Sequence, residues 1–287
     1  MSYYRILGLT EEPFSTSPDP AFFYESRNHR STLANLIIEL RLRRGLSVVL
    51  GDVGTGKTTL GRKLVQMLRE RSGFVFHMIL DPTYPSEELF LNAVLRTFQI
   101  QFPSGNPTLV DYRETLERFL FKRALEQQRI VVLIIDEAHK LNTLSLEALR
   151  ILLNYETNEV KLLQVILLGQ TELLPVLVNM PNLLDRISLK QILRPFDQEE
   201  TGEMIDFRLS KAGYALRSPL FLEEAVEEIH RVTQGYPRRI SMICHQALRL
   251  LVMRDQRAVT RELISELVEK EIEAGWSQIR IPQRSSF

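Results

Sequence analysis

The stretch Leu46–Leu60 reads LSVVLGDVGTGKTTL, and it decides the fold of this chain. A short apolar run passes into a glycine-rich turn, and a helical pattern then begins at Lys57. The spacing Gly51-x-x-x-x-Gly56-Lys57-Thr58 is that of a phosphate-binding loop (P-loop), and it stands in the strand–loop–helix context that such a loop requires. The competing interpretation, a glycine-rich turn with a chance lysine, leaves the flanking strand and helix unexplained. The sequence therefore predicts a nucleotide-binding protein.

Each residue type in this loop suits the binding of a nucleoside triphosphate. Glycines let the backbone curl so that successive N–H groups point at phosphate oxygens, and the positive end of the new helix adds to that field. Lys57 is expected to reach the β- and γ-phosphates, which gives it a catalytic role, and the Thr58 hydroxyl is expected to bind Mg²⁺. The predicted nucleotide contacts in the loop are Gly51, Asp52, Val53, Gly54, Thr55, Gly56, Lys57, Thr58 and Thr59.

Composition and charge bound the class of protein. Hydrophobic residues make up 44% and charged residues 25% of the 287 positions, which indicates a soluble globular chain of one large or two modest domains. The 36 basic and 36 acidic residues cancel, so no global basic field favours nucleic acid, although a local patch stays open. The single cysteine, Cys244, excludes an intrachain disulfide and suits a small core residue. No signal peptide or membrane-length apolar run is present, so we expect a cytoplasmic protein.

A second signature follows the aliphatic run Ile130–Ile135. This run suits a central parallel strand, and the carboxyl ends of such strands are where open α/β sheets bind ligands. Asp136 is expected to hold Mg²⁺ through water, and Glu137 is expected to orient and polarise the attacking water. The alternative is that both carboxylates merely cap a helix. His139 is interpreted as a surface or supporting histidine rather than a catalytic one.

A polar side chain also follows the next predicted strand, near residues 162–168. Gln170 is the candidate to contact the γ-phosphate or the catalytic water from that strand end, which would make it a catalytic residue; a plain turn residue is the alternative. Alternating strands and helices around the P-loop imply a three-layer α/β fold, a parallel sheet with helices on both faces. Four helical segments without a strand then predict a lid bundle, and Pro219 and Pro237 are expected in first-turn positions. Those segments are 198–212, 219–234, 237–253 and 260–274.

The predicted domains follow from these patterns. An amino-terminal arm (1–30) packs on the core, a nucleotide-binding domain covers 31–196, the lid covers 197–274, and the tail, 275–287, is flexible. Dense prolines exclude a helix from Pro13 to Pro20, so an extended arm is expected, followed by a helix over Ser31–Arg44. Two roles for the aromatic residues of the arm stay open: they cover an adenine ring, or they cover the core.

The motifs together resemble the AAA+ ATPases. The opening YYRILGLTEEPFSTSPDPAFFYESRNHRSTL is similar to that of ExeA-type ATPases, the general secretion pathway protein A family, as are GDVGTGKTTL, IDEAHKL, LLGQTEL and GYPRRI. The resemblance implies ATP and Mg²⁺ as ligands, and an ATP-dependent homo-oligomer, a ring, that shares each ATP between subunits. Arg186 matches the arginine finger that reaches a neighbour's γ-phosphate, with a surface salt bridge as the alternative. Arg238 matches the lid sensor of the phosphates, with Arg239 as the alternative.

The same resemblance implies a biological role. ATP hydrolysis is expected to drive or regulate assembly of a secretion, pilus or exopolysaccharide export apparatus through protein partners. The alternative is an ATP-dependent DNA-binding regulator resembling AAA+ transposition proteins, with basic clusters at 41–44, 62–63 and 238–239 that also suit solvated faces. A nucleotide switch without turnover is disfavoured by the intact Glu137. ExeA-like proteins continue into a membrane span and a peptidoglycan-binding region. We expect a stand-alone form without them, with a truncated piece of such a protein as the alternative. The expected location is the cytoplasm, and a peripheral position at the inner membrane through a partner stays open.

Overall fold

The computed structural model describes residues 2–69, 73–101, 105, 107–215 and 218–274, so the predicted flexible tail at 275–287 lies outside the described residues. The chain divides into two units. Among the described residues, the sheet unit falls within Arg27–Val53 and Lys57–Arg194, and the helical unit falls within Met1–Ser26, Gly54–Gly56 and Pro195–Phe287. In the described part of the chain, no helix combines the length and the hydropathy that crossing a bilayer requires.

Five parallel strands form the sheet in the order β2-β3-β4-β1-β5. Their bounds are β1 (Leu46–Gly51), β2 (Phe74–Ile79), β3 (Ile130–Ile135), β4 (Leu163–Gly169) and β5 (Ile187–Leu193). β1 and β4 are buried throughout, and β3 is buried beyond its first residue, whereas the edge strand β5 alternates between buried and exposed positions. The continuous aliphatic runs therefore reflect burial on both faces of the central strands.

The helices are α1 (Tyr3–Ile6), α2 (Arg27–Arg41), α3 (Lys57–Arg69), α4 (Glu87–Thr97), α5 (Leu109–Phe121), α6 (Thr143–Leu152), α7 (Leu173–Val178), α8 (Pro181–Leu184), α9 (Gln198–Lys211), α10 (Glu223–Thr233), α11 (Pro237–Met253) and α12 (Arg261–Glu273). Helices cover both faces of the sheet. Leu133 packs in the cluster that contains buried residues of α4, α5 and α6, whereas its neighbour Ile134 lies near Gly61 of α3 on the other face. The predicted P-loop α/β fold is confirmed.

Two helix boundaries differ from those expected. α2 begins at Arg27 instead of Ser31 and ends at Arg41, because Arg43 takes a left-handed conformation with φ of 52° that the helix cannot continue through. α10 begins at Glu223, so Pro219 lies before the helix and only Pro237 occupies a first-turn position. The reason is a non-local pairing: the backbone N–H of Leu222 donates to the carbonyl of Val259, and the N–H of Val259 donates to the carbonyl of Leu220.

The helical unit has its own core, and the amino-terminal segment contributes to it. Phe14 and Phe22 are buried with residues of α9 to α12 in one hydrophobic cluster. The backbone N–H of Thr10 donates to the carbonyl of Ala212 at 2.8 Å, and the Arg208 guanidinium donates to the carbonyl of Ser15 at 3.1 Å. The contacts support the interpretation of the aromatic residues as core cover. The segment is also less extended than expected, since α1 lies within it.

Gly235 lies directly against the backbone of Phe196. Its φ is +72°, and a Cβ at this position would lie 1.9 Å from the carbonyl oxygen of Phe196. We therefore expect Gly235→Ala to lower the free energy of unfolding by about 3 kcal/mol or more, from backbone strain and steric overlap together. Denaturant unfolding followed by far-ultraviolet circular dichroism measures the loss.

Gly8→Ala is the matched control for Gly235→Ala. Gly8 has a similar φ of +76°, but a Cβ there meets no atom within 4 Å. Only the conformational strain remains, so a loss of about 1 kcal/mol is expected. Equal losses for the two variants would show that the approach of Phe196 contributes nothing.

Candidate nucleotide-binding edge of the sheet

Three strands end side by side where the sequence places its polar motifs. β1 ends at Gly51, β3 ends at Ile135 and β4 ends at Gly169. The register pairs Leu50 with Gly169 and Ile135 with Leu167, so these ends lie at one edge of the sheet. The P-loop, the Asp136–Glu137 pair and Gln170 therefore meet at the carboxyl edge, the usual ligand-binding position in parallel α/β sheets.

Lys57 begins α3 and points back into the loop. Its ammonium donates to the carbonyl oxygens of Gly51 at 2.7 Å and Asp52 at 2.9 Å, and the residue is only 6% exposed. Gly54 and Gly56 take φ values of +87° and +96°, which residues with a side chain rarely adopt. The shape of the loop thus depends on backbone conformations that its glycines permit, and the Lys57 ammonium lies against the loop carbonyls.

The electrostatic surroundings of this ammonium are mixed. Burial lowers the pKa of Lys57, while the nearby carboxylates of Glu137 and Asp136 oppose that shift. A buried cation surrounded by acceptors suits the binding of a polyanion, because a phosphate can replace the weaker carbonyl contacts.

Thr58 and Asp136 form the candidate magnesium site. The Thr58 hydroxyl donates to Oδ2 of Asp136 at 2.6 Å, and Asp136 is 3% exposed. In the described part of the chain, no group of three His, Cys, Asp or Glu side chains could hold a metal ion. Two protein oxygens nevertheless fit Mg²⁺, which retains waters and takes phosphate oxygens rather than a full cage of side chains.

Glu137 adopts a left-handed backbone conformation with φ of 50° and ψ of 35°. Such a conformation costs about 1–3 kcal/mol in a residue other than glycine and is frequent at functional sites. The two consecutive carboxylates consequently have different environments. Asp136 is buried and accepts a hydrogen bond of 2.9 Å from the backbone N–H of Glu137. The Glu137 side chain is 36% exposed. Glu137 is therefore accessible to a water molecule while Asp136 faces Thr58.

His139 is the residue of this edge whose position the sequence did not indicate. Its Nε2 lies 3.5 Å from Oε2 of Glu137 and 3.0 Å from the side-chain nitrogen of Gln170. The backbone N–H of Gln170 also approaches Nδ1 of His139, at 3.4 Å. The 3-10 turn Ala138–Lys140 brings the imidazole between the two predicted catalytic side chains. The sequence feature that could have indicated this placement is the position of His139, two residues after Glu137 in a short turn.

The structure does not bring Arg186 to this edge. Arg186 precedes β5, whose first residue, Ile187, pairs with Leu46 at the start of β1, whereas Gly51 at the end of β1 pairs with Leu193. Six residues of strand separate the two ends, a distance of about 20 Å. Arg186 therefore lies at the amino-terminal edge of the sheet, opposite the P-loop of its own chain.

Arg238 belongs to the helical unit, in the first turn of α11. Its backbone N–H donates to the carbonyl of Gly54 at 3.3 Å, and Gly54 is grouped with the same unit. The neighbouring guanidinium of Arg239 lies 4.9 Å from the centre of the Tyr236 ring. Of the two arginines, Arg239 is thus occupied by a cation–π contact.

The remaining predicted loop contacts differ in exposure. Val53 is 58% exposed and Thr55 is fully buried. Asp52 is exposed, and Thr59 lies half-buried in the first turn of α3. The roles assigned to individual site residues stay predictions.

Comparison with known proteins agrees with this geometry. Residues 40–177, which include the P-loop and the Asp136–Glu137 pair, match the family described as AAA domain. The chain belongs to the AAA+ family. This AAA+ protein is 37% identical over 250 residues to "General secretion pathway protein A" of Aeromonas hydrophila, which confirms the ExeA-type resemblance; the alignment covers 86% of this chain and 44% of that relative. The chain thus spans less than half of that protein.

Solved structures show the same fold at low sequence identity. The ORC2 protein of Aeropyrum pernix, in ADPNP–ADP complexes, superposes with a TM-score of 0.65 at 17% identity, covering 87% of this AAA+ protein and 70% of ORC2. Drosophila ORC bound to DNA gives a TM-score of 0.66 at 20% identity, covering 94% and 66% of the two chains. Both likenesses concern the fold.

Proposed function

We propose that this AAA+ protein binds ATP together with Mg²⁺ and hydrolyses it to ADP and phosphate. The observation that carries this proposal is the hydrogen bond between Thr58 and Asp136, which joins the P-loop helix to the end of β3 beside Lys57. These groups form a set of one cation, two metal-binding oxygens and a half-exposed carboxylate at one edge of the sheet. Phosphoryl transfer to water requires such a set.

Different residues of the chain bind the phosphates, hold the metal and activate the attacking water. Lys57 binds the β- and γ-phosphates, and the backbone N–H groups of the loop orient them. Thr58 and Asp136 would hold Mg²⁺, which, when bound, neutralises charge that develops on the phosphates. Glu137 orients the attacking water and accepts its proton as the oxygen–phosphorus bond forms and the bond to ADP breaks.

Further roles rest on the neighbouring contacts. Gln170 contacts the γ-phosphate or the attacking water, and His139 positions the Gln170 and Glu137 side chains through the contacts described above. Arg186 serves a neighbouring subunit, because it lies at the wrong edge for its own. Arg238 senses the phosphates from the helical unit. The oligomer and its shared sites are thus part of the proposal.

The partner is proposed from the likeness to general secretion pathway protein A. We assign ATP turnover to the assembly or regulation of a secretion or cell-envelope apparatus through protein partners. A tagged Glu137→Gln variant, which retains ATP, should retain its partner during purification from the native host, with Lys57→Ala as the nucleotide-free control. Enrichment of envelope-assembly proteins supports this assignment, whereas nuclease-sensitive DNA in the purified complex would favour the DNA-binding alternative.

Removal of the P-loop ammonium tests nucleotide binding. Lys57→Ala should weaken the binding of a fluorescent ATP analogue by about 100-fold, because it deletes charge-assisted hydrogen bonds to two phosphates. Lys63→Ala removes the same charge from the same helix and should leave binding close to wild type. A titration with Mg²⁺ present measures both, and equal affinity of the two variants would contradict the role of Lys57.

A further inference from the structure

The amino-terminal edge of the sheet, where Arg186 also lies, carries a surface that the nucleotide site of its own chain does not use. Two segments form it, 38–44 at the end of α2 and 121–129 between α5 and β3; we refer to them together as the basic edge. A hydrogen bond joins them, since the Arg43 guanidinium donates to the carbonyl of Ala124 at 3.3 Å. The left-handed Arg43 lies next to the last residue of one segment, and the π-helix Lys122–Glu126 forms the centre of the other.

The basic edge concentrates positive charge in a chain whose net charge is zero. It contains six cations and two carboxylates, Glu39 and Glu126, which gives a net charge of +4. None of the six cations forms a salt bridge with another described residue, whereas cations elsewhere, such as Arg113 with Glu87 and Arg231 with Glu228, are paired. The six are Arg41, Arg43, Arg44, Lys122, Arg123 and Arg129.

Bulky apolar side chains protrude among these cations. Ile38 is 51% exposed and Leu42 is 54% exposed on α2, and Phe121, beside Lys122, is 39% exposed. Exposed aliphatic and aromatic side chains are costly in water and mark surfaces that meet an apolar partner. Cations with no carboxylate partner mark surfaces that meet an anionic one. A single partner of the basic edge must therefore offer both an apolar medium and negative charge.

We propose that the basic edge docks on an anionic lipid bilayer. Arginine and lysine side chains meet the headgroup phosphates, while Leu42 and Phe121 enter the boundary between headgroups and acyl chains. A nucleic acid satisfies the cations but offers no apolar medium for Ile38 and Leu42. Because the P-loop lies at the opposite edge of the same sheet, docking leaves the nucleotide edge clear of the bilayer.

Vesicle sedimentation tests this surface. The full chain should sediment with phosphatidylglycerol-containing vesicles and stay in solution with phosphatidylcholine vesicles, and added salt should weaken the binding. Each cation near an anionic surface contributes about a fivefold change in partitioning. The double variant Arg44→Glu and Lys122→Glu should therefore lose at least about 25-fold in binding, while retaining wild-type binding of the fluorescent ATP analogue.

Two further variants separate lipid docking from general charge effects. Lys211→Glu with Arg257→Glu makes the same charge change at exposed positions of the helical unit and should leave vesicle binding unchanged. Leu42→Gln should weaken vesicle binding about fivefold through lost apolar contact, while binding to heparin, a lipid-free polyanion, is unchanged. Failure of the full chain to bind anionic vesicles, equal losses in both double variants, or DNA binding that exceeds vesicle binding would each overturn the proposal.

Discussion

Glu137→Gln should reduce ATP hydrolysis by about 10²–10⁴-fold and leave Mg²⁺–ATP binding close to wild type. The amide keeps the size and the hydrogen-bonding reach of the carboxylate but cannot accept a proton from water. The substitution leaves Asp136 and Thr58, which are joined by a hydrogen bond of 2.6 Å, unchanged. Steady-state phosphate release and a titration with the fluorescent ATP analogue measure the two quantities.

Glu172→Gln is the matched control for Glu137→Gln. Glu172 is another carboxylate whose charge acts on Lys57, and it is exposed after β4. It should hydrolyse ATP at the wild-type rate. If both variants lose turnover equally, the loss reflects the summed negative charge around Lys57. If Glu137→Gln alone retains full turnover, the proton acceptor is another group.

Arg186→Ala should lower hydrolysis by about 10³–10⁵-fold in the assembled protein, because a guanidinium that stabilises the transferred phosphoryl group is lost. Its position about 20 Å from the P-loop of its own chain excludes direct action there. Lys190→Ala removes an exposed cation from the middle of β5, the strand that follows Arg186, and is expected to have little effect. ATP binding by the Arg186→Ala monomer should be unchanged.

A mixing experiment distinguishes action on a neighbour from action within one chain. Inactive Arg186→Ala combined with inactive Glu137→Gln should regain activity, because some interfaces then pair an intact Glu137 with an intact Arg186. Co-assembly is verified by differently tagged chains. Mixed oligomers that stay inactive would contradict a role for Arg186 in the neighbouring site.

The sheet and most of the site could be predicted because their signals are local. A continuous aliphatic run such as Ile130–Ile135 is typical of a strand buried on both faces, and the P-loop spacing predicts a strand, a turn and a helix together. Polar residues that follow such runs fall at one edge of a parallel sheet. The strands, and the proximity of Thr58 to Asp136, could therefore be predicted from local sequence patterns.

The remainder depended on contacts between distant residues. Pro219 suits a first turn, but Leu220 and Leu222 pair with Val259 instead, and local preference could not reveal that pairing. His139 reaches Gln170 because its 3-10 turn follows β3, and β3 pairs with β4, which Gln170 follows. The amino-terminal aromatic residues gave no indication of which core they would join.

The opposite placement of Arg186 and the P-loop has a consequence for symmetry. In the proposed arrangement, a subunit donates Arg186 from one edge of its sheet and receives the arginine of a neighbour at the other edge. Such contacts are heterologous, or head-to-tail, and they generate closed rings or open helical filaments rather than two-fold dimers. In an open filament the terminal subunit at one end has a nucleotide site with no donor, so specific activity per chain should rise with filament length. In a closed ring every site is equivalent, and activity saturates once the ring forms.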